Sequence, residues 1–533
     1  MGKKVLAAKS GRAACSCAAA GGGIGAKNAK GAKSFLTGLT GFTGLREASV
    51  KTAKTKPSGV AWIGDIPDGW EVRRLKSIFE YRKGLSITKA DLTQTGIPVI
   101  SYGQIHSKEN TGTHLQDSLL RFVPLKYLES DGNCLLKEDD FVFADTSEDL
   151  EGLGNCVYVD RPDKIFAGYH TIIFRPYGHY RGEVKFRYLA YLFKTDVWRS
   201  QFRAKAFGIK VYSLSQRLLN DCCLILPPLS VQRAIAAYLD EKCGAIDAAV
   251  AEAKKGIEEY KAWKKSLIFE VVTGKRRVGF FNAEKQSSRE AESFSTGLTR
   301  FTGLGENLDN PVNPVKTKPS GIPWIGDVPV GWEVCRVKDV AKIKTGNTPD
   351  KQYQREYYST DGGVPWIKAE NLGFMSPISQ TAEYLTKEGC KQGRIFQPRT
   401  VYVCCIASIG KVGYSEIEAS CNQQLNALAF NSRMHWKYGF YVTIASEEEY
   451  LVRASGNVVK ILNSSEQGLM ALPLPSIAEQ RAIADYLDDK CAAIDKMVAE
   501  KNALIADLEA YKKSLIYEVV TGKREVASTI EVK

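Results

Sequence analysis

The sequence lacks most of the signals that mark enzymes and membrane proteins. No apolar run approaches the roughly 20 residues that a membrane helix needs. None of the 13 cysteines forms a CxxC pair, which argues against zinc and disulfide frameworks. Adjacent pairs such as Cys222–Cys223 and Cys404–Cys405 suit a reducing cytosol, where the thiol packs as a small hydrophobe. The 5 histidines (His106, His114, His170, His179 and His435) form no HxxxH or HExxH spacing, so no metal site is expected. There is no GxxxxGK[ST] phosphate loop; the nearest string, Ile409-Gly410-Lys411-Val412, lacks the upstream glycine and the hydroxyl. No Asn/Asp-Pro-Pro-aromatic box for adenine methylation appears. A loose metal-nuclease pattern, Pro162-Asp163 followed by Glu183-Val184-Lys185, has no counterpart later in the chain. Arg161-Pro162-Asp163-Lys164 reads more simply as a strand-connecting turn. No catalytic residue is assigned.

What is present is basic and doubled. The net charge of +13 is the footprint of a polyanion-binding protein, although a mildly basic soluble protein would also fit. At 533 residues the chain is too long for one core. Gln232–Arg276 and Gln480–Arg524 align without a gap, with 30 of 45 positions identical, so they are an internal duplication. Ile235, Leu239, Ile246, Val250, Ile257, Tyr260 and Leu267 recur at helical spacing. Ile483, Leu487, Ile494, Val498, Ile505, Leu508 and Leu515 do the same. Each copy ends in Thr-Gly-Lys-Arg, a glycine stop with basic residues near the carboxyl-end dipole. Two helices with one apolar stripe each are expected to partner within the chain, not to form a homodimer.

Further echoes set the organisation. Thr55–Lys76 returns as Thr317–Lys338, and Ser34–Leu45 as Ser293–Leu304. The chain divides into a low-complexity leader (1–54), a first head (55–229), a long helix (230–276), a linker (277–316), a second head (317–475), a second long helix (476–524) and a tail (525–533). The leader reads as disordered, or as a start placed too far upstream. Pro-rich bends precede both helices, where Ser230 or Ser476 is expected to cap. Between the anchors the heads share little sequence beyond strand rhythm. The first offers Ile97–Tyr102, Asp140–Ala144, Cys156–Asp160 and His170–Arg175, with a helix at Phe186–Thr195. The second offers Val364–Lys368, Val401–Ala407 and Asn426–Phe430. The fold class is α/β, with two heads on a duplicated frame, and unlike heads are expected to recognise different things.

These residues resemble the specificity subunit of type I restriction-modification systems. The resemblance rests on SGVAWIGDIPDGWEVRRLK (Ser58–Lys76) and its copy Ser320–Lys338, the bends running into QRAIAxYLD, and the KKSLIxEVVTGKR endings. The second head adds Gly362–Leu372, Ala407–Gly413 and Cys421–Phe430. The duplicated FxTGLTxFTGL segment and the leader have no place in that pattern. The resemblance implies two target-recognition domains, each reading half of a bipartite double-stranded DNA site. The two helices then pack as an antiparallel coiled coil with pseudo-twofold symmetry. It implies two methyltransferase subunits on the frame, restriction/translocase subunits beside them, and a cytoplasmic setting. S-adenosylmethionine, ATP and Mg²⁺ belong to those partners, with no cofactor in this chain.

Base edges are read by Arg, Lys, Asn, Gln and Glu, whereas phosphate contacts add affinity without sequence. Candidate readers in the first head are Tyr102, Gln104, His106, Lys108 and Asn110, then Ser147, then Lys205, Lys210 and Tyr212 around Phe207-Gly208. In the second they are Lys368, Glu370 and Asn371; Ser408 and Lys411; Asn422, Gln423 and Gln424; and Arg453, Asn457 and Lys460. Solvated turns, or amides that satisfy the backbone, are the competing reading of each. On the helices Lys264, Lys265, Lys512 and Lys513 are open to phosphate or solvent. Trp263, Phe269, Tyr511 and Tyr517 lie partly off the seam and suit partner docking. Trp62, Trp70, Trp324 and Trp332 are assigned to packing.

Overall fold

The structure is a computed structural model that describes residues 54–60, 63–203, 212–278, 316–373, 375–456 and 459–526. The leader to residue 53, the Ser34–Leu45 and Ser293–Leu304 repeat, most of the linker, Trp62, Lys205, Lys210 and Asn457 lie outside these residues. Contacts divide the chain into two compact units. One comprises residues up to 254 together with those from 502 onward, and the other comprises 255–501.

The first head is built on a four-stranded antiparallel sheet. Its order is Phe79–Lys83, Thr171–Pro176, Phe141–Ala144, Cys156–Tyr158. Phe141-Val142-Phe143-Ala144 is buried along its whole length, the pattern of a central strand covered on both faces. Phe143 stacks on Phe174 with centroids 4.1 Å apart, and Phe193 packs on Trp198 at 4.4 Å. The expected strand Asp140–Ala144 begins one residue later because Asp140 is otherwise engaged. Its carboxylate accepts from Arg175 (Nη2–Oδ2 2.6 Å, Nε–Oδ1 3.1 Å) and from the Lys137 amide at 2.8 Å, with both side chains buried. Arg175 also donates to the Leu135 carbonyl at 2.7 Å, so the buried pair is well supplied with hydrogen bonds. Beside this sheet, Phe166–Ala167 runs parallel to Ile97–Ile100, which pairs antiparallel with Arg121–Val123.

The second head repeats this plan despite its unlike sequence. Its four-stranded sheet runs Ala341–Thr345, Leu425–Phe430, Thr400–Cys404, Val412–Ser415. Its second sheet again contains one parallel pair, Val364–Ile367 with Ala419–Cys421. The expected strand Val401–Ala407 stops at Cys404, because the chain turns into a loop where Ala407 has φ +63°. A small antiparallel pair closes each head onto its frame: Glu71–Arg74 with Cys223–Leu226, and Glu333–Arg336 with Ala471–Leu474.

The long helices are Leu229–Val272 and Ile477–Val520. Ser476 caps the second as expected, its Oγ accepting from the Glu479 amide while Glu479 accepts from the Ser476 amide. Ser230 does not cap. Pro227 and Pro228 let the first helix start at Leu229, and the Gln232 amide already bonds to the Pro228 carbonyl at 3.0 Å. Within the second unit, Gly256 faces Lys501, Lys264 pairs with Asp495 at 2.7 Å, and Arg277 meets Glu479 at 3.3 Å. Numbers rising on one helix against falling numbers on the other make these segments antiparallel. Within the first unit the corresponding pair is Asp247 with Lys512 at 2.6 Å. Lys264 and Lys512 are therefore held by carboxylates, while Lys265 (Glu447, 3.1 Å) and Lys513 (Asp196, 2.9 Å) make ion pairs with ammoniums still largely exposed.

Three further devices recur in both units. Buried Gln232 accepts from the Lys185 amide and donates to the Pro227 carbonyl, while Gln480 accepts from the His435 amide and donates to the Pro475 carbonyl. The Tyr188 hydroxyl lies 3.0 Å from the Ile225 carbonyl and 3.1 Å from that of Val520. Tyr438 sits likewise between Pro473 (3.0 Å) and Val272 (3.2 Å). Finally, the glycine stops are more than caps. A Cβ on Gly522 (φ +73°) would lie 2.3 Å from Pro67 Cγ, and one on Gly274 (φ +77°) 2.5 Å from Pro329 Cδ. Each helix end thus seats closely on a Pro-x-Gly-Trp turn, with Trp70 and Trp332 buried beside it.

Candidate nucleic-acid interface

In the first head four segments meet at one rim. The Tyr102 amide donates to Tyr169, the Asp145 amide to His170, and the Leu214 amide to Asp145. Thr146–Ser147 pairs with Tyr212–Ser213. Tyr102, which opens the short helix Tyr102–Ile105 instead of ending a strand, has Tyr169 and His170 within 5.6 Å of its ring. The second head gathers the same four places. The Asn422 amide donates to Ile367, the Cys405 amide to Gln424, and the Leu462 amide to Cys405, while Ile406 bridges Ile461. The loops after Ile367, Cys404 and Cys421 and the segment near residue 460 therefore form one edge. Ala407 holds positive φ there, a local strain of the kind that accumulates at working sites, while Gly410 takes its positive φ freely.

This geometry brings the sequence candidates together and sorts them. Asn110 is committed to its own loop: Nδ2 donates to Ile105 (2.8 Å) and Cys156 (3.0 Å), and Oδ1 accepts from Gly112. Gln104 accepts from the Ser101 amide. His106 Nε2 donates to the Thr146 carbonyl at 2.8 Å, which leaves Nδ1 to accept from Asn155 at 3.2 Å. Ser147 is buried and its Oγ accepts from the Asp149 amide. These four shape the rim; the Gln104 side-chain nitrogen makes no hydrogen bond among the described residues and Gln104 is half-buried, so it keeps a donor. In the second head Asn371 accepts from the Lys368 amide, and Asn422 bonds to Gln424 through both its amide groups. Lys368 lies over Trp366 and pairs with Glu383, and Arg453 is held by Glu449 at 2.6 Å.

The side chains left exposed are Lys108 in the first head and Glu370, Ser408, Lys411, Gln423 and Lys460 in the second. Tyr212 is half-buried in its strand. Sequence reasoning missed exposed His170 (φ +55°), whose Nδ1 is 3.3 Å from Asp145, and its neighbour Tyr169. A Gly-Tyr-His string entering a strand was the available signal. It also missed Thr348, whose hydroxyl donates to Gln423.

On the helices, Trp263 is 39% exposed, while Phe269, Tyr511 and Tyr517 are half-buried. Lys275 lies 4.4 Å from the Phe269 ring centre and Lys523 the same distance from that of Tyr517, so both faces end in a cation on an aromatic ring. The nuclease pattern is not assembled. Asp163 pairs with Arg161 at 2.7 Å, and Glu183 faces Arg73 at 4.0 Å. No group of three His, Cys, Asp or Glu side chains placed to hold a metal occurs among the described residues. No helix among them is long and apolar enough to cross a membrane.

A duplicated α/β head with a polar loop rim, followed by a long helix, is the plan of a two-site recognition protein. The profile described as the type I restriction modification DNA specificity domain matches residues 67–255 and 329–506. The chain belongs to that family and carries its domain twice. It is similar to the putative type I restriction enzyme MjaX specificity subunit of Methanocaldococcus jannaschii, at 24% identity over 485 residues, 87% of this chain and 96% of that one. It is also similar to the type I restriction enzyme EcoBI specificity subunit of Escherichia coli, at 22% over 339 residues, 61% of this chain and 63% of the relative. A solved structure described as the structural basis of complex assembly and conformational transition of the type I R-M system shares the fold. It aligns at TM-score 0.57 and 16% identity, over 86% of this chain and 99% of that chain.

Proposed function

We propose that this chain is the non-catalytic, sequence-reading subunit of a type I restriction-modification complex, each head reading one half of a bipartite duplex site. The observation that carries this is the repeated rim: one arrangement of four loops built twice, bearing unlike side chains. Lys411, Ser408 and Gln423 in the second head, and Lys108 with His170 in the first, are the groups free to meet DNA. The long helices act as the ruler, packed as one antiparallel coiled coil. At about 1.5 Å per residue, 44 residues give roughly 66 Å, enough to hold two heads on sites a helical turn of about 34 Å apart. A flexible linker would not fix that spacing.

Two methyltransferase subunits dock on the outward helix faces around Trp263, Phe269, Tyr511 and Tyr517, and restriction/translocase subunits join them. S-adenosylmethionine, ATP and Mg²⁺ serve those partners, in the cytoplasm. Replacing residues 339–471 with another head, followed by methylome sequencing, tests the reading. One half of the methylated site changes, whereas a change in both halves overturns modularity. Mg²⁺-dependent cleavage of DNA by the purified chain, lost on Asp163→Ala, would overturn the non-catalytic reading. Absence of duplex binding at every salt concentration would leave a scaffold instead.

A further inference from the structure

The first head contains a cleft of about 230 Å³ between the loop after Ile105, the strand at Cys156 and the end of the helix Phe186–Phe193. Its polar lining includes His106, Lys108, Asn110, Asn155, Lys194 and Arg199, and no carboxylate lines it. His106, Asn110 and Asn155 are internally bonded, so the groups with capacity to spare are the cations. Arg199 donates to the Glu151 carbonyl and to Asn155, both at 2.8 Å, while its Nε is buried without a partner. The Lys194 amide donates to the Tyr191 carbonyl at 3.1 Å, but its ammonium makes no hydrogen bond or ion pair among the described residues. Gly112 (φ +76°) leaves the space its stem occupies, since a Cβ there would lie 2.6 Å from Lys194 Cδ.

Burial, and then Arg199, push the Lys194 ammonium down to about 8. Asp247, the carboxylate whose charge also reaches it, is already taken by Lys512 at 2.6 Å. A cation withdrawn from water without a partner is costly, and an anion in the cleft would offset that cost. The second head has no equivalent. Counting from Tyr188 and Tyr438, which occupy the same place, Lys194 corresponds to Ile444, packed on the core.

We propose that this cleft binds a phosphate group, held by Lys194 and Lys108 with Arg199 behind them. A phosphodiester of the duplex and free inorganic phosphate offer the same chemistry; only the first source rests on the DNA-reading function above. The test uses the full chain. Acylation of Lys194 near pH 8 is followed by mass spectrometry with inorganic phosphate, with duplex, or with chloride at matched ionic strength. Saturating phosphate is expected to slow acylation about tenfold, and Lys108→Ala to raise the half-protecting concentration about tenfold, the loss of one charge-assisted contact.

Protection by both ligands assigns a backbone phosphodiester, and protection by phosphate alone assigns a free anion. Protection by neither overturns the inference, even if the duplex still shifts the chain in a gel. Protection by phosphate in a chain that binds no duplex retains the inference and removes the DNA-reading function. Because Lys194 is half-buried, the loss of phosphate broadening in ³¹P spectra on Lys194→Met is read beside exposed Lys108→Ala, which leaves the fold intact. Unchanged phosphate binding in both variants also overturns the proposal.

Discussion

The two heads share a four-stranded sheet of the same order, beside a second sheet of three strands in the first and five in the second, yet they solve the problem of a polar rim differently. In the first, the loop amides and His106 are consumed in bonds to carbonyls and to one another, and charge is set back in a cleft. In the second, the comparable segments leave Ser408, Lys411 and Gln423 exposed on a loop with positive-φ residues. The frame beneath does not vary: Gln232 and Gln480, Tyr188 and Tyr438, and the lysine–aspartate pairs repeat residue for residue. What is held constant fixes position, and what is allowed to change is what meets the ligand.

That comparison can be broken most strongly where the heads differ inside. The Arg175–Asp140 pair has no partner in the second head, where Ala429 takes the place of Arg175 in the strand register. Arg175→Met should destabilise the first head by about 3–5 kcal/mol, because it strands a buried carboxylate. Hydrogen exchange should then rise in Phe141–Ala144 and stay unchanged in Thr400–Cys404; equal effects in both would show the heads to be coupled. Where the frame repeats, losses should match. Tyr188→Phe and Tyr438→Phe should each cost about 1–3 kcal/mol by leaving buried carbonyls short of a donor, and chemical denaturation of the two variants should agree.

At the rims the expected changes are in binding. Gln423→Ala should cost about 1–3 kcal/mol on the cognate half-site if it reads a base, whereas Lys411→Ala should weaken all duplexes alike and lower the salt slope by about 1. Titrations at several salt concentrations separate the two. The smallest effects belong to Lys264→Ala and Lys512→Ala. Each removes a half-exposed ion pair worth about 0–1 kcal/mol, so thermal midpoints of the two variants should move together and only slightly.

Much of this was legible in the sequence because duplication and helical period are local. Both long helices appear within four residues of their expected ends, and most strands within two. The rim was legible only as a list of polar loops, because the strand order that joins them is set by pairings far apart in sequence. The Ser101–Gln104 capping box and the Ser147–Asp149 turn bond are local patterns that the sequence does carry, whereas the Asn110 bond to Cys156 joins residues 46 apart and is visible only in the fold. In the sequence Gln232 and Gln480 mark only the start of the repeat; that they pin helix to head shows only in the fold. Lys194 carried no signal at all: one lysine after an apolar helix, distinguished only by the cleft around it.

The seating of Gly522 against Pro67, and of Gly274 against Pro329, also bears on when the protein can fold. The first unit needs residues from 502 onward, yet 255–501 lie between them and the rest of that unit. At roughly 5–20 residues per second, the first head therefore waits about 12–50 s on the ribosome before its closing helix end is made. For that time Tyr188 lacks the Val520 carbonyl and Asp247 lacks Lys512, so the first unit closes only after the second has been made.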